Sequence, residues 1–444
     1  MKNNIFANKK IGIWGFGIVG QSVFKHIQQY TNHIQILDRT AHANNNIILE
    51  TPENIKKFLE YNQIIIPSPG IVLSNYQNYA HKFVQELDIF SQDFQGRTIA
   101  VTGTVGKTTV TSLLAQAIPH AIAAGNIGYA MLNTLNLKPK PEIIVLELSS
   151  YQLQCSKYYA PDMAIWTNFF PNHLDHHQNE QEYFQAKCKM LEYQHENQVA
   201  LLPYNLIKNI QKVITPKAQI YLFDEGIDFQ LQNNQQESIP YPVFFIQNNQ
   251  LLLKKNDQTI IIFHNIDQLC DITFIQNWLV IIAGLYLQNF NLKNFQTFTK
   301  TLKPEPHRCE FVKNLNGVAV YNDSKSTVWQ ATQCAVDKFS GKKIALFLGG
   351  MSKGTDRTPL FKHITNKPIT VFAFGKEAEL LAGLSQKYNI SHFQAATLEE
   401  SFQQYLKLHN NFEVLLFSPA GASFDLFKNF EDRGEQFKKM IQNL

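Results

Sequence analysis

The chain opens with an apolar run, Ile11-Gly12-Ile13-Trp14, which predicts a strand, followed by a glycine turn and a helix over residues 20–30. A second strand is predicted over 34–37, ending at Asp38, and a third over 63–66, ending in Pro67-Ser68-Pro69-Gly70. Strands alternating with helices predict a parallel, doubly wound sheet. A polar stretch at 91–96 marks a first boundary. Beyond it a strand over 98–102 enters a second glycine-rich loop and a helix over 110–118, and strands over 142–148 and 163–167 follow. The Asn/Gln-rich segment 230–236 reads as a solvated loop. Lys303-Pro304-Glu305-Pro306 marks a linker, and strands over 343–348, 369–374 and 414–417 lie past it. The expected architecture is α/β in three domains, residues 1–92, 93–302 and 303–444, without a repeat of fixed period.

Composition narrows the class. With 44% hydrophobic and 17% charged residues the chain is a globular protein, not a disordered one. Its net charge of +4, without a Lys/Arg run or a basic stripe, excludes nucleic acid as the expected partner. The five cysteines, Cys155, Cys188, Cys270, Cys309 and Cys334, form neither a CxxC pair nor a metal-site spacing, which fits reduced thiols in the cytoplasm. No secretory leader pattern and no apolar run of spanning length is present, so no membrane insertion is expected.

Two glycine-rich turns carry candidate phosphate chemistry. In Val101-Thr102-Gly103-Thr104-Val105-Gly106-Lys107-Thr108-Thr109, glycines free backbone N–H groups to face a phosphate, the following helix N-terminus adds positive partial charge, and Lys107 adds a full one. Thr108 can ligate Mg²⁺. Val101 stands where the generic pattern wants glycine, but the strand-loop-helix setting points to a nucleoside triphosphate site. The first turn, Gly15-Phe16-Gly17-Ile18-Val19-Gly20 with Asp38 about 20 residues on, is the pattern of a dinucleotide site. Alone it admits an NAD-dependent oxidoreductase or another nucleotide diphosphate. A second nucleotide loop at 103–108 argues against a simple dehydrogenase.

The loop Thr102 to Thr109 resembles that of the Mur ligases and folylpolyglutamate synthases. Two further blocks resemble the same ligases, Glu147-Leu148-Ser149-Ser150-Tyr151-Gln152-Leu153 and the stretch from Asn168 to Met190, which contains Asn172-His173-Leu174-Asp175-His176-His177, Tyr183-Phe184 and Ala186-Lys187-Cys188-Lys189-Met190. Matched motifs in all three domains make the resemblance one to the Mur ligase family, which implies a Rossmann-like UDP-binding domain, a central P-loop ATPase-like domain and a Rossmann-like C-terminal domain. It implies ATP as co-substrate, contacted through Gly103, Thr104, Gly106, Lys107, Thr108, Thr109, Asn277, Arg308 and Asp323. Phosphoryl transfer to a carboxylate gathers anionic oxygens that divalent cations must bridge. Two Mg²⁺ sites are implied, with Thr108, Glu147, His173 and Lys187 as ligands, and Lys187 is expected to be carbamylated. Catalytic roles fall to Lys107, Glu147, His173, Lys187, Arg308 and Lys325. The UDP-substrate contacts implied are Gly15, Phe16, Gly17, Ile18, Val19, Asp38, Arg39, Ser68, Pro69, Gly70, Asn126, Ser149 and Gln152.

The acceptor end, Leu348-Gly349-Gly350-Met351-Ser352-Lys353 with Ser418-Pro419-Ala420-Gly421-Ala422-Ser423 and Phe430-Glu431-Asp432-Arg433-Gly434, resembles the family's glutamate-adding branch. Thr327, Lys353, Ser423 and Phe430 are then the expected glutamate contacts. The substrates implied are UDP-N-acetylmuramoyl-L-alanine and D-glutamate, handled by a monomer. The residues alone do not choose D- over L-glutamate, and no pattern bears on oligomeric state. A ligase with another acceptor and a non-catalytic binding protein on this fold are the rivals. The UDP-type first domain opposes a folate enzyme, and retention of Lys107, Glu147 and His173 opposes a dead relative. Two departures stand out: Val105 where Asn is usual, and Val280 where the family carries a second Asn after Asn277.

Overall fold

The computed structural model describes residues 5–40, 47–172, 176–224, 240–270, 272–293, 295–352 and 354–443; His173, Lys353 and the segment 230–236 lie outside them. Among the described residues, three sheets follow one another along the chain. The first contains β1 (Ile11–Trp14), β2 (Ile34–Asp38), β3 (Ile47–Leu49) and β4 (Ile64–Pro67) in the order β3-β2-β1-β4, all parallel.

The second sheet contains β5 (Arg97–Thr102), β6 (Ala121–Gly125), β7 (Ile143–Glu147), β8 (Met163–Trp166), β9 (Val199–Pro203), β10 (Gln219–Asp224), β11 (Val243–Gln247), β12 (Gln250–Lys255) and β13 (Gln258–Phe263). Their order is β13-β12-β11-β10-β9-β8-β5-β7-β6, with only β12 and β13 antiparallel to their neighbours. The middle of this sheet is covered on both faces, so β7 and β8 are buried at every position and read as unbroken apolar runs.

The third sheet contains β14 (Glu310–Leu315), β15 (Val318–Asn322), β16 (Ile344–Leu348), β17 (Ile369–Phe374), β18 (Ser391–Ala395) and β19 (Val414–Phe417), ordered β14-β15-β19-β16-β17-β18. Only the β14–β15 hairpin is antiparallel. Its turn places Asn316 and Gly317 at φ +50° and +93°, the left-handed geometry that an Asn-Gly pair supplies at little steric cost.

The polar stretch at 91–96 begins inside a helix instead of between elements. Residues Glu86–Asp93 form a helix in which Glu86 and Asp88 are buried. One oxygen of Asp88 accepts from Ser156 Oγ at 2.8 Å and from the Lys157 amide at 3.0 Å. Contacts divide the chain into two compact units. One holds residues 1–169, 181–266 and 279–292; the other holds 170–180, 267–278 and 293–444. Among the described residues no helix is long and apolar enough to cross a membrane.

Candidate active site

In a parallel sheet, ligands are taken at the carboxyl ends of strands where the strand order reverses. The candidate residues fall at such ends in all three sheets. At the end of β1, Gly15 (φ +91°) makes the turn, and a Cβ there would lie 2.6 Å from Ser68 Oγ at the end of β4. Ser68 Oγ donates to the Gly15 carbonyl at 3.2 Å. Asp38, ending β2, accepts from the Phe16 amide at 2.5 Å and from the Thr40 amide at 2.9 Å. Its carboxylate therefore closes the turn as well as lining it. Arg39 is exposed and pairs with Glu50 at 3.5 Å, and Ile18 is 79% exposed at the rim.

The second sheet brings the nucleotide loop, Glu147 and Lys187 together. Beyond β5, Gly103 (φ +143°) leaves no room for a side chain against Thr167 Oγ1, and Gly106 (φ +85°) starts the helix Lys107–Ala117. Thr167 and Asn168, directly after β8, fasten this loop. Asn168 Oδ1 accepts from the amides of Thr104 (3.2 Å) and Val105 (2.9 Å), while its Nδ2 donates to the Val105 carbonyl at 3.0 Å. Thr167 Oγ1 donates to the same carbonyl at 2.6 Å. No candidate role attached to Thr167 or Asn168 in the sequence. The available signal was a polar pair ending a buried strand, at the strand end nearest the phosphate loop.

Lys107 Nζ donates to the carbonyls of Gly103 (3.0 Å) and Thr104 (2.9 Å), so its charge lies against the loop mouth. Lys187, on the helix Glu180–Glu192, is 1% exposed. Its Nζ donates to the Gly103 carbonyl at 2.9 Å and lies 4.7 Å from the centre of the Tyr183 ring. Burial drives this amine well below the usual lysine range; the charge of Lys107 pushes the same way, and Glu147 opposes in part. Glu147 ends β7 and is 2% exposed. Its Oε1 accepts from Asn126 Nδ2 at 2.9 Å, whereas its buried Oε2 makes no hydrogen bond.

A buried carboxylate oxygen without a donor is costly unless a cation or proton meets it. Glu147, whose Oε2 lacks a donor, and Thr108 offer the hard oxygen ligands that a divalent cation takes. Among the described residues no group of three or more His, Cys, Asp or Glu side chains could hold a metal by itself. Ser149 and Gln152 engage each other in a capping box that starts the helix Ser150–Gln154.

In the third sheet, loops after β15, β16 and β19 converge. Asp323, past β15, is 6% exposed. It accepts from Ser418 Oγ at 2.6 Å and from the Cys309 amide at 3.1 Å. Burial nevertheless raises its pKa to about 6, against those two bonds and the charges of Arg308 and Lys338. The amide of Lys325 donates to the His307 carbonyl at 3.1 Å, and Lys325 Nζ sits 4.0 Å from the centre of the Phe430 ring. Arg433 is fully buried, donating to Ser324 Oγ (3.0 Å), the Ser324 carbonyl (2.7 Å) and the Gly421 carbonyl (2.9 Å). Ser423 is 2% exposed and Thr327 is exposed. Asn277 Nδ2 donates to Thr273 Oγ1 at 2.7 Å, and Val280 is buried.

Residues 101–241 match the family model for the Mur ligase middle domain. Relatives are similar over three quarters of this chain or more. The UDP-N-acetylmuramoylalanine--D-glutamate ligase of Aquifex aeolicus is 31% identical across 98% of both chains. That of Pseudothermotoga lettingae is 32% identical over 78% of this chain and 75% of its own. Among solved structures, the MurF ligase of Thermotoga maritima in complex with ADP superposes with a TM-score of 0.55 at 14% identity, covering 98% of this chain and 96% of that one. The UDP-N-acetylmuramate-alanine ligase MurC of the same organism gives 0.52 at 14%, covering 98% and 100%. These two likenesses concern the fold.

Proposed function

Because the chain belongs to the family of UDP-N-acetylmuramoylalanine--D-glutamate ligases, we propose that it joins D-glutamate to UDP-N-acetylmuramoyl-L-alanine at the expense of ATP, a step in peptidoglycan precursor synthesis. The observation that carries the mechanism is the buried Lys187 amine, bonded to the Gly103 carbonyl of the loop that carries Lys107 and within the electrostatic reach of Glu147, whose Oε2 lacks a donor.

In this reading the γ-phosphoryl group of ATP passes to the L-alanyl carboxylate: a carboxylate oxygen bonds to phosphorus as the bond to the leaving ADP oxygen breaks. The glutamate amine then attacks the acyl carbon, and loss of phosphate and the amine proton leaves the amide. Loop amides and Lys107 cradle the phosphates, and Arg308 and Lys325 offset charge on the transferring group. One such contact typically contributes about 3–4 kcal/mol to lowering the barrier. Asn277 and Asp323 contact the nucleotide. Thr108, Glu147, His173 and Lys187 would hold Mg²⁺, which would supply neutralisation of the anionic charge gathered at the site. For Lys187 to serve, its neutral amine would add CO₂ and release one proton, giving an anionic carbamate whose oxygens can meet a cation that the protonated amine would repel.

UDP is held by Gly15 to Val19, Asp38, Arg39 and Ser68 to Gly70, with Asn126, Ser149 and Gln152 toward the muramoyl group. Glutamate is held by Thr327, Lys353, Ser423 and Phe430. The protein works as a cytoplasmic monomer of three domains, bounded near 92/93 and 302/303. The direct test is phosphate release with UDP-N-acetylmuramoyl-L-alanine and ATP, offering D-glutamate, L-glutamate and diaminopimelate in parallel. Turnover with D-glutamate is expected; turnover confined to either alternative overturns the acceptor assignment.

A further inference from the structure

We propose that Arg357 and Glu377 form a positioning pair that sets the affinity for the acceptor amino acid, an inference resting on the reading of the loops after β16 and β19 as the acceptor end. Arg357 is 2% exposed and faces Glu377 with Nη2 3.2 Å from Oε2. With Arg357 withdrawn from water and Glu377 partly so, the ion pair is a poor stabiliser, because desolvation offsets much of its attraction. Its remaining bonds indicate what it does instead.

The guanidinium donates to the carbonyls of Gly350 (2.9 Å) and Gly349 (3.4 Å). The other oxygen of Glu377 accepts from the amide of Ser352 at 2.8 Å and from its hydroxyl at 3.0 Å. The pair therefore grips the loop after β16 at Gly349, Gly350 and Ser352. That loop is in turn zipped to the loop after β19. Met351 and Ala422 exchange amide-to-carbonyl bonds of 2.8 Å in both directions, one residue before Ser423.

Space at this junction is fully used. A Cβ on Gly421 would collide with Arg357 Nη2, and one on Gly350 (φ +67°) would reach Arg433 Nη1 at 2.9 Å. The facing carbonyls forbid a side chain more firmly still, since a Cβ on Gly421 would lie 2.5 Å from the Gly349 oxygen and one on Gly350 would collide with the Ala422 oxygen, so the loops sit this close only with glycine at both positions. Loosening the pair shifts Ser352 and Ser423 relative to each other, while the phosphate loop, built on the second sheet, keeps its own fastenings. The effect should therefore fall on the amino acid and spare the nucleotide.

Steady-state kinetics on the full chain test this, with Glu377→Gln and Arg357→Lys compared with wild type and thermal melting checking the fold. For Glu377→Gln, KM for D-glutamate is expected to rise about tenfold, with KM for ATP and for the UDP substrate within about twofold and kcat within about threefold. Arg357→Lys, which keeps the charge but not the fork, should fall between. An unchanged KM for D-glutamate in a folded Glu377→Gln variant, or an equal rise in all three constants, overturns the proposal. Should Arg357→Lys fail to fold, Glu377→Gln decides alone. A wild-type protein that does not ligate D-glutamate removes the acceptor reading and this pair's role with it; a wild type that does, without the split, removes only the pair.

Discussion

The centre at the ends of β5 and β7 and the centre at the ends of β15, β16 and β19 both bury charge, but they treat it in opposite ways. At the first, burial pushes the Lys187 amine well below the usual lysine range, and Glu147 Oε2 has no donor. At the second, Arg433 spends its donors on Ser324 and Gly421, and both oxygens of Asp323 accept hydrogen bonds. Unmet valence in a buried site is costly and signals a missing partner, whereas valence met within the chain builds shape. The first centre is organised to receive charge, whereas Arg433 and Asp323 at the second hold backbone loops at fixed spacing.

Substitutions can break this contrast. Lys187→Ala should lower turnover by about a thousandfold or more, the scale expected for loss of a charge contact at the reacting group, with little change in melting temperature. A short-chain carboxylic acid should restore part of the rate. Unchanged activity in this variant rejects the carbamate, and with it the idea that the first centre awaits charge.

Arg433→Met should do the reverse, costing about 3 kcal/mol in a urea titration by leaving carbonyls of Ser324 and Gly421 without donors. A stability equal to wild type would mean that the guanidinium is not what holds those loops.

Titration separates the centres more gently. The folded pKa of Asp323, about 6, lies above its ordinary value of 3.8, so the fold prefers the protonated form. Its contribution to stability is complete below about pH 4 and is lost as pH rises through about 6. Asp323→Asn should remove that loss, gaining roughly 1–3 kcal/mol over wild type at pH 7 and nothing at pH 4. Parallel stability curves for the two proteins across this range would contradict it.

The smallest effect is expected from Val105→Asn. The backbone N–H and C=O of Val105 are already bonded to Asn168, so KM for ATP should move by less than about threefold, under 1 kcal/mol. A larger shift would assign the side chain a contact that the loop amides do not make.

Much of the fold was legible because buried parallel strands are unbroken apolar runs: β1, β17 and β19 begin and end where the pattern of residues places them. The segment from β9 to β13 was not resolved into strands in advance. Several of its residues, such as Ile260 and Ile261, are apolar yet exposed on an edge strand, which blurs any alternation. The β14–β15 hairpin carried an overlooked signal in Asn316-Gly317. Of the site, the glycine turns, Lys107 and Glu147 were readable from strand-end motifs. Thr167, Asn168, Arg357 and Glu377 were not, because each acts through a partner remote in sequence.

From sequence alone came the family, the chemistry class and the residue types at the strand ends, because phosphate loops and buried strands are local patterns whose physics is complete within about ten residues. Tertiary structure decided which valences remain open. Whether Lys187 keeps its proton depends on burial against Gly103 and on Lys107 and Glu147, brought from three separate stretches of chain. Whether Arg433 binds a ligand or a loop depends on where Ser324 and Gly421 come to rest. Desolvation and hydrogen-bond geometry are properties of the packed neighbourhood, and no spacing along the chain encodes them.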